Sequence, residues 1–76
     1  MQNGFNFLLS AATFSNFLLG QRLARAHRML TNPRFDASQV SAIAYDAGFG
    51  DLSYFNRNFR HRYGATPRDV RKSRAR

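Results

Sequence analysis

The chain has 76 residues, a formal net charge of +8 and no cysteine, with a sequence pI near 11.6. That length holds one small domain with a modest core, and so basic a balance points to a polyanionic partner. The lack of cysteine excludes disulfides and thiolate metal sites, and two histidines alone do not make a zinc site, so no metal or cofactor is expected.

The charge is unevenly placed. Residues 1–48 carry Arg22, Arg25, Arg28 and Arg34 against Asp36 and Asp46, a net +2, while residues 49–76 carry seven Arg and Lys72 against Asp51 and Asp69, a net +6. Residues 1–21 have no charged side chain. They also lack a basic start, and Asn6, Ser10, Thr13, Asn16 and Gly20 interrupt the apolar run short of the ~20 residues that span a bilayer. Neither a signal peptide nor a membrane partner is therefore expected.

In chain order, residues 1–12 are apolar without a clean period, and Phe5, Phe7, Leu8 and Leu9 have no evident cover. A helix over about 14–31 follows, capped by Thr13 or Ser15, with Leu19, Leu23, Ala26 and Leu30 at i, i+4, i+7, i+11. Gly20 weakens this helix by about 1 kcal/mol relative to alanine, so it depends on packing. Arg22, Arg25 and Arg28 lie off the stripe. Asn32-Pro33 stops the helix, because the residue before proline is biased out of the α region.

Ser38 is the expected N-cap of a helix over about 39–47 with a buried stripe of Val40, Ile43, Ala44 and Ala47. Gly48 stands where a left-handed residue closes that helix, Phe49 returns to the core, and Asp51 caps the next helix. This one covers about 52–63 and ends at Gly64. Phe55, Phe59 and Tyr63, at i, i+4, i+8, form its inner stripe; Ser53, Asn56, Arg57 and Arg60 line the opposite face. Thr66 caps a last helix over about 67–73, with Pro67 in the first position and Asp69 reaching back to the free amides. Residues 72–76 form a basic tail. The expected fold class is all-α, a small helical bundle with one complete helix-turn-helix behind a longer helix.

The run Ile43-Ala44, Gly48-Phe49, Asp51-Leu52-Ser53-Tyr54-Phe55-Asn56-Arg57, Phe59-Arg60, Gly64 and Thr66-Pro67 closely resembles the C-terminal signature of AraC/XylS-type bacterial transcription regulators. Upstream, Arg22-Leu23, Ala26 and Leu30 are similar to the linker helix that joins that family's two helix-turn-helix units. The resemblance covers about Thr13 to Arg71, domain 13–71 behind an apolar segment 1–12. It implies double-stranded DNA as partner and a location in the cytoplasm with the nucleoid. It places Leu52, Ser53, Asn56 and Arg57 at base-facing positions of a recognition helix. Ser38, Tyr54, Arg60, His61 and Arg68 are the expected phosphate contacts. Family members carry two units in tandem; residues 1–12 stand at the first recognition helix without its arginines or polar face. The apolar N-terminal third is thus also a candidate contact for another protein chain, and no small-molecule effector site is expected here.

Several residues have two readings. Arg57 meets a base or phosphate, or is a solvated arginine paired with Asp51 or Asp46. Leu52 meets a thymine methyl group or closes the core beside Phe55, and Asn56 is a base contact or an ordinary exposed side chain. Tyr45 and Tyr54 are half-buried or touch phosphate. Phe55, Phe59 and Tyr63 suit base stacking in single-strand binders, but their helical spacing favours the core. His27 and His61 have no carboxylate or nucleophile arranged around them, and Gly48 and Gly50 follow no strand, so neither catalysis nor a phosphate loop is expected.

Overall fold

The computed structural model describes the backbone of residues 4–74 and the side chains of residues 11–73. It is all-α: α1 (Gly4–Leu30), a 3-10 turn (Pro33–Phe35), α2 (Val40–Asp46), α3 (Leu52–Tyr63) and α4 (Pro67–Arg74). The side chains of Phe5, Phe7, Leu8 and Leu9, residues 1–3, and the end of the basic tail lie outside the described residues.

Helix α1 begins at Gly4 rather than near residue 14, and Thr13 and Ser15 lie inside it instead of capping it. The reason is that nothing stops it: no proline falls between Gly4 and Leu30. Once the packed carboxyl half has nucleated, each further residue adds a bond at little cost. Its 27 residues make a rod of about 40 Å. The molecule measures 56 × 21 × 19 Å with a radius of gyration of 15.0 Å, against about 11 Å for a compact chain of this length. The amino half of α1 projects from the bundle.

Leu23, Ala26, Met29 and Leu30 of α1 pack with Ile43, Ala44 and Ala47 of α2, Phe49 of the turn, and Phe55 and Phe59 of α3. An aromatic line runs through this core. Phe49 meets Phe55 at 4.9 Å between ring centroids, Phe55 meets Phe59 at 5.6 Å, and Phe59 meets Tyr63 at 4.7 Å. His27 of α1 closes the line against Tyr63 at 4.6 Å. Tilted rings at such spacings add to what burial alone contributes.

The helix ends explain why α2 and α3 meet at a fixed angle. Ser38 is not the cap of α2: Gln39 occupies that position without a side-chain bond. The chain leaves the 3-10 turn through a Ser38 N–H bond to the Phe35 carbonyl at 3.0 Å, which displaces the helix start by one residue. At the other end Gly48 adopts φ 108°. Its N–H donates to the Tyr45 carbonyl at 3.0 Å, and the Phe49 N–H donates to the Ala44 carbonyl at 3.0 Å. These paired bonds close a helix on a left-handed residue and turn the next side chain inward. Asp51 then caps α3 by accepting from the Tyr54 N–H at 3.0 Å. Gly64, at φ 70°, ends α3 with an N–H bond to the Arg60 carbonyl at 2.8 Å. Thr66 Oγ1 accepts from the Asp69 N–H at 3.0 Å, and Asp69 Oδ2 accepts from the Thr66 N–H at 3.4 Å.

The two glycines of the turn differ in what they permit. A methyl group at Gly48 would face positive φ and stand 2.9 Å from Arg22 Nε, whereas one at Gly50 would meet nothing within 4 Å. Gly48→Ala is expected to lower stability by about 1–2 kcal/mol, the cost of a left-handed L-residue. Gly50→Ala is expected to fall within about 0.5 kcal/mol of the parent, as an uncrowded surface change does. Urea unfolding followed by far-UV circular dichroism checks both; equal losses would mean that backbone conformation at Gly48 is not what shapes the turn.

Candidate nucleic-acid interface

Burial of Phe55 and Phe59 fixes the rotation of α3 and therefore what its other face shows. Ser53, Asn56, Arg57, Arg60 and His61 are exposed, while Leu52 is half-buried and packs against the core. No residue of α3 is acidic, and its last turn carries Arg60, His61 and Arg62. Cations there are favoured by the negative end of the helix dipole.

Two shallow hollows share Asn56. Asn56, Arg57, Arg60 and His61 line the first, along α3 itself. The second lies where the amino end of α2 approaches α3 and α4, lined by Gln39, Val40, Ser41, Leu52, Asn56, Arg68 and Arg71. Six of the nine expected contact residues are thus gathered on one side: Leu52, Asn56, Arg57, Arg60, His61 and Arg68. Ser53 is exposed one turn before Arg57. Ser38 lies elsewhere, half-buried in a cleft with Met29, Phe35, Ala42, Ile43 and Asp46. Tyr54 leans toward the turn, its ring 6.4 Å from that of Phe49.

Arg57 carries its guanidinium over the Tyr54 ring, 5.8 Å from the centroid. The acids considered as its partners are otherwise engaged. Asp51 caps α3, and Asp46 faces Arg25 at 3.9 Å with both side chains more than half exposed, a pair worth little in water.

Gln39, Ser41 and Arg71 join the groove without having been singled out in the sequence. Ser41 falls off the Val40–Ala47 stripe, which is the signal that places it outward. Arg71 gives no such signal, since its partner is remote: its Nη2 donates to the Phe35 carbonyl at 3.0 Å, 36 residues away. It ties α4 to the 3-10 turn. Arg62 is likewise drawn toward the bundle, its guanidinium 3.5 Å from where a methyl group on Gly20 would stand.

Among the described residues no helix is long and apolar enough to cross a membrane, and no three His, Cys, Asp or Glu side chains are placed to hold a metal ion. A helix pair joined by a closed glycine turn, with a basic outer helix, is the build of a helix-turn-helix DNA-binding domain. Residues 8–73 match the model of a family described as a helix-turn-helix domain. The chain is 47% identical over 66 residues to the transcriptional activator RhrA of Rhizobium meliloti, a match covering 87% of this chain and 21% of that protein. It is 37% identical over 59 residues to the HTH-type transcriptional activator RhaS of Mannheimia succiniciproducens, covering 78% of this chain and 21% of that one. Against RhaS of Salmonella arizonae it is 37% identical over 62 residues, with 82% and 21% covered. The chain therefore belongs to the AraC-type helix-turn-helix family of transcription regulators, and spans about a fifth of the length of the curated relatives it matches. No solved structure matches it significantly.

The different settings of Arg71 and Arg68 can be separated by measurement. Arg71→Ala removes a charge-assisted bond from a half-buried side chain and is expected to cost about 1.5–3 kcal/mol of stability. Arg68→Ala, at an exposed position, is expected to stay within about 0.5 kcal/mol. Equal losses in denaturant unfolding would remove the distinction between a tie and a surface cation.

Proposed function

We propose that α3 enters the DNA major groove, with Leu52, Ser53, Asn56 and Arg57 toward base edges and Arg60, His61 and Arg68 toward phosphates. The observation that carries this reading is the acid-free outer face of α3, on which Asn56, Arg57, Arg60 and His61 line one hollow. The chemistry fits each role. Arginine offers a planar fork that matches the two acceptors of guanine, and asparagine pairs with the donor and acceptor of adenine. The half-buried Leu52 offers an apolar edge of the kind that meets a thymine methyl group. The flanking cations supply affinity through counterion release, without sequence information.

In this reading the chain serves as the DNA-binding module of a transcription activator, as which RhrA and RhaS are known. A single module covers roughly 600–1,000 Å² of protein surface, so affinity is modest and falls steeply with salt. Arg57→Ala is expected to cost about 1–3 kcal/mol on a duplex selected from a random pool and to flatten the base preference. Arg60→Ala is expected to weaken all duplexes alike and to reduce the salt slope by about 1. Fluorescence anisotropy at two salt concentrations distinguishes them. An Arg57→Ala loss equal on every duplex would remove the base-reading role and leave a non-specific polyanion binder.

A second reading has its own observation. Phe14 is 64% exposed and Phe17 is 61% exposed, within the exposed stretch 11–17 of α1, and this supports a contact with another polypeptide. It expects the parent to bind an apolar dye that the Phe14→Ser, Phe17→Ser double variant does not bind, with DNA affinity unchanged. A monomer that binds no such dye would eliminate it.

A further inference from the structure

We infer that Tyr54 is a positioning residue: its ring is the platform that holds the Arg57 guanidinium in a reading orientation on α3. The inference rests on the base-reading role proposed for Arg57, and it assigns Tyr54 a task other than phosphate contact.

The arrangement is layered. Phe49 is buried in the turn core, and the Tyr54 ring leans toward it at 6.4 Å and 47°. The Arg57 guanidinium lies over that same ring, 5.8 Å from its centroid. The backbone beneath the tyrosine is pinned at both ends. Its N–H donates to Asp51 Oδ1 at 3.0 Å, and its carbonyl accepts from Asn58 Nδ2 at 2.8 Å. Tyr54 is 43% exposed, enough for the ring to present a free surface while its base stays anchored. Residues three apart on a helix are neighbours, which brings Tyr54 and Arg57 together without strain.

An unrestrained arginine at an exposed helix position samples many rotamers and loses that freedom on binding. A cation over a ring is restrained in advance. The restraint need not compete with base reading, because a guanidinium can rest its flat face toward a ring while its edge keeps the N–H fork available. Lysine has no such division between face and edge.

Duplexes selected from a random pool and scrambled controls, compared by fluorescence anisotropy, test the assignment. Tyr54→Phe keeps the ring and is expected to retain affinity and base preference. Tyr54→Leu is expected to lose about two- to fivefold on the selected duplex, the range of an exposed cation–π contact, and little on the control. In an Arg57→Ala background, Tyr54→Leu is expected to add nothing. Independent losses that multiply overturn the platform while leaving Arg57 as a reader. A Tyr54→Phe loss equal on both duplexes overturns it in favour of a hydroxyl on phosphate. An Arg57→Ala loss equal on both duplexes overturns the base-reading role itself, and the platform's part in specificity with it. If Tyr54→Leu does not fold, nuclear magnetic resonance of the parent and Tyr54→Phe decides the matter. Arg57 side-chain protons shifted upfield by the ring in both, with and without duplex, support the platform; unshifted protons overturn it.

Discussion

The outer face of α3 is dictated by its inner one. Phe55 and Phe59 are fully buried, and each such side chain contributes roughly 1.5–3 kcal/mol by leaving water. One residue of rotation about the helix axis is about 100°, enough to bring a ring to the surface and an arginine into the core. No comparable force acts on Asn56 or Arg57, which are exposed whichever neighbour they meet. The position of the polar row is therefore set by residues that are not part of it. The turn completes the constraint: Gly48 lets Phe49 fold back beneath Phe55, and the stack fixes where α3 begins. A change at Gly48 acts on the interface through this geometry although it touches nothing there.

Charge follows a second logic. Of the few acids in the sequence, Asp51 and Asp69 are both spent on helix starts, so they stabilise local structure and do little to offset the arginines. The arginines themselves divide by what they touch. Arg71 bonds to the Phe35 carbonyl, Arg62 lies across Gly20, Arg22 sits beside Gly48, and Arg25 faces Asp46. Arg60 and Arg68, both exposed and lining the hollows, are left to repel one another through solvent, a modest cost that salt screens. Under the proposed function a phosphate backbone would relieve that repulsion as it binds, and these residues would supply affinity without reading sequence.

Much of this was legible in the sequence, for identifiable reasons. The stripe Phe55, Phe59, Tyr63 has one periodic solution, and the signals at Asp51, Gly48, Gly64 and Thr66-Pro67-Arg68-Asp69 are local chemistry that acts within three or four residues. What escaped was set by distance or by the absence of a signal. Ser38 has the right side chain for a cap, but a backbone bond from the 3-10 turn moved the helix start past it. Residues 4–12 lack a clean period, so the sequence did not mark them as helical; helix propagated into them from packed residues downstream. The reach from Arg71 to Phe35 spans 36 positions, beyond any pattern in the chain. Tyr54 and Arg57 stand at the i, i+3 spacing, but a tyrosine on a basic helix offers its hydroxyl to phosphate as readily as its ring to a guanidinium, so the pattern alone left both roles open.

The long helix joins two regions that differ in what sustains them. Leu23, Ala26, Met29 and Leu30 hold the carboxyl half of α1 in the core, and they support α2 and α3 directly. Residues 11–17 are all exposed, so their helicity comes from propagation and not from packing. A turn lost there gives up none of the core residues, and the core that orients α3 stays intact. The apolar segment and the basic face are therefore energetically separable, although one unbroken helix links the segment to the bundle. A partner that covered Phe14 and Phe17 would stabilise the helix over residues 11–17 and leave the packing of Phe55 and Phe59, which sets the rotation of α3, as it is.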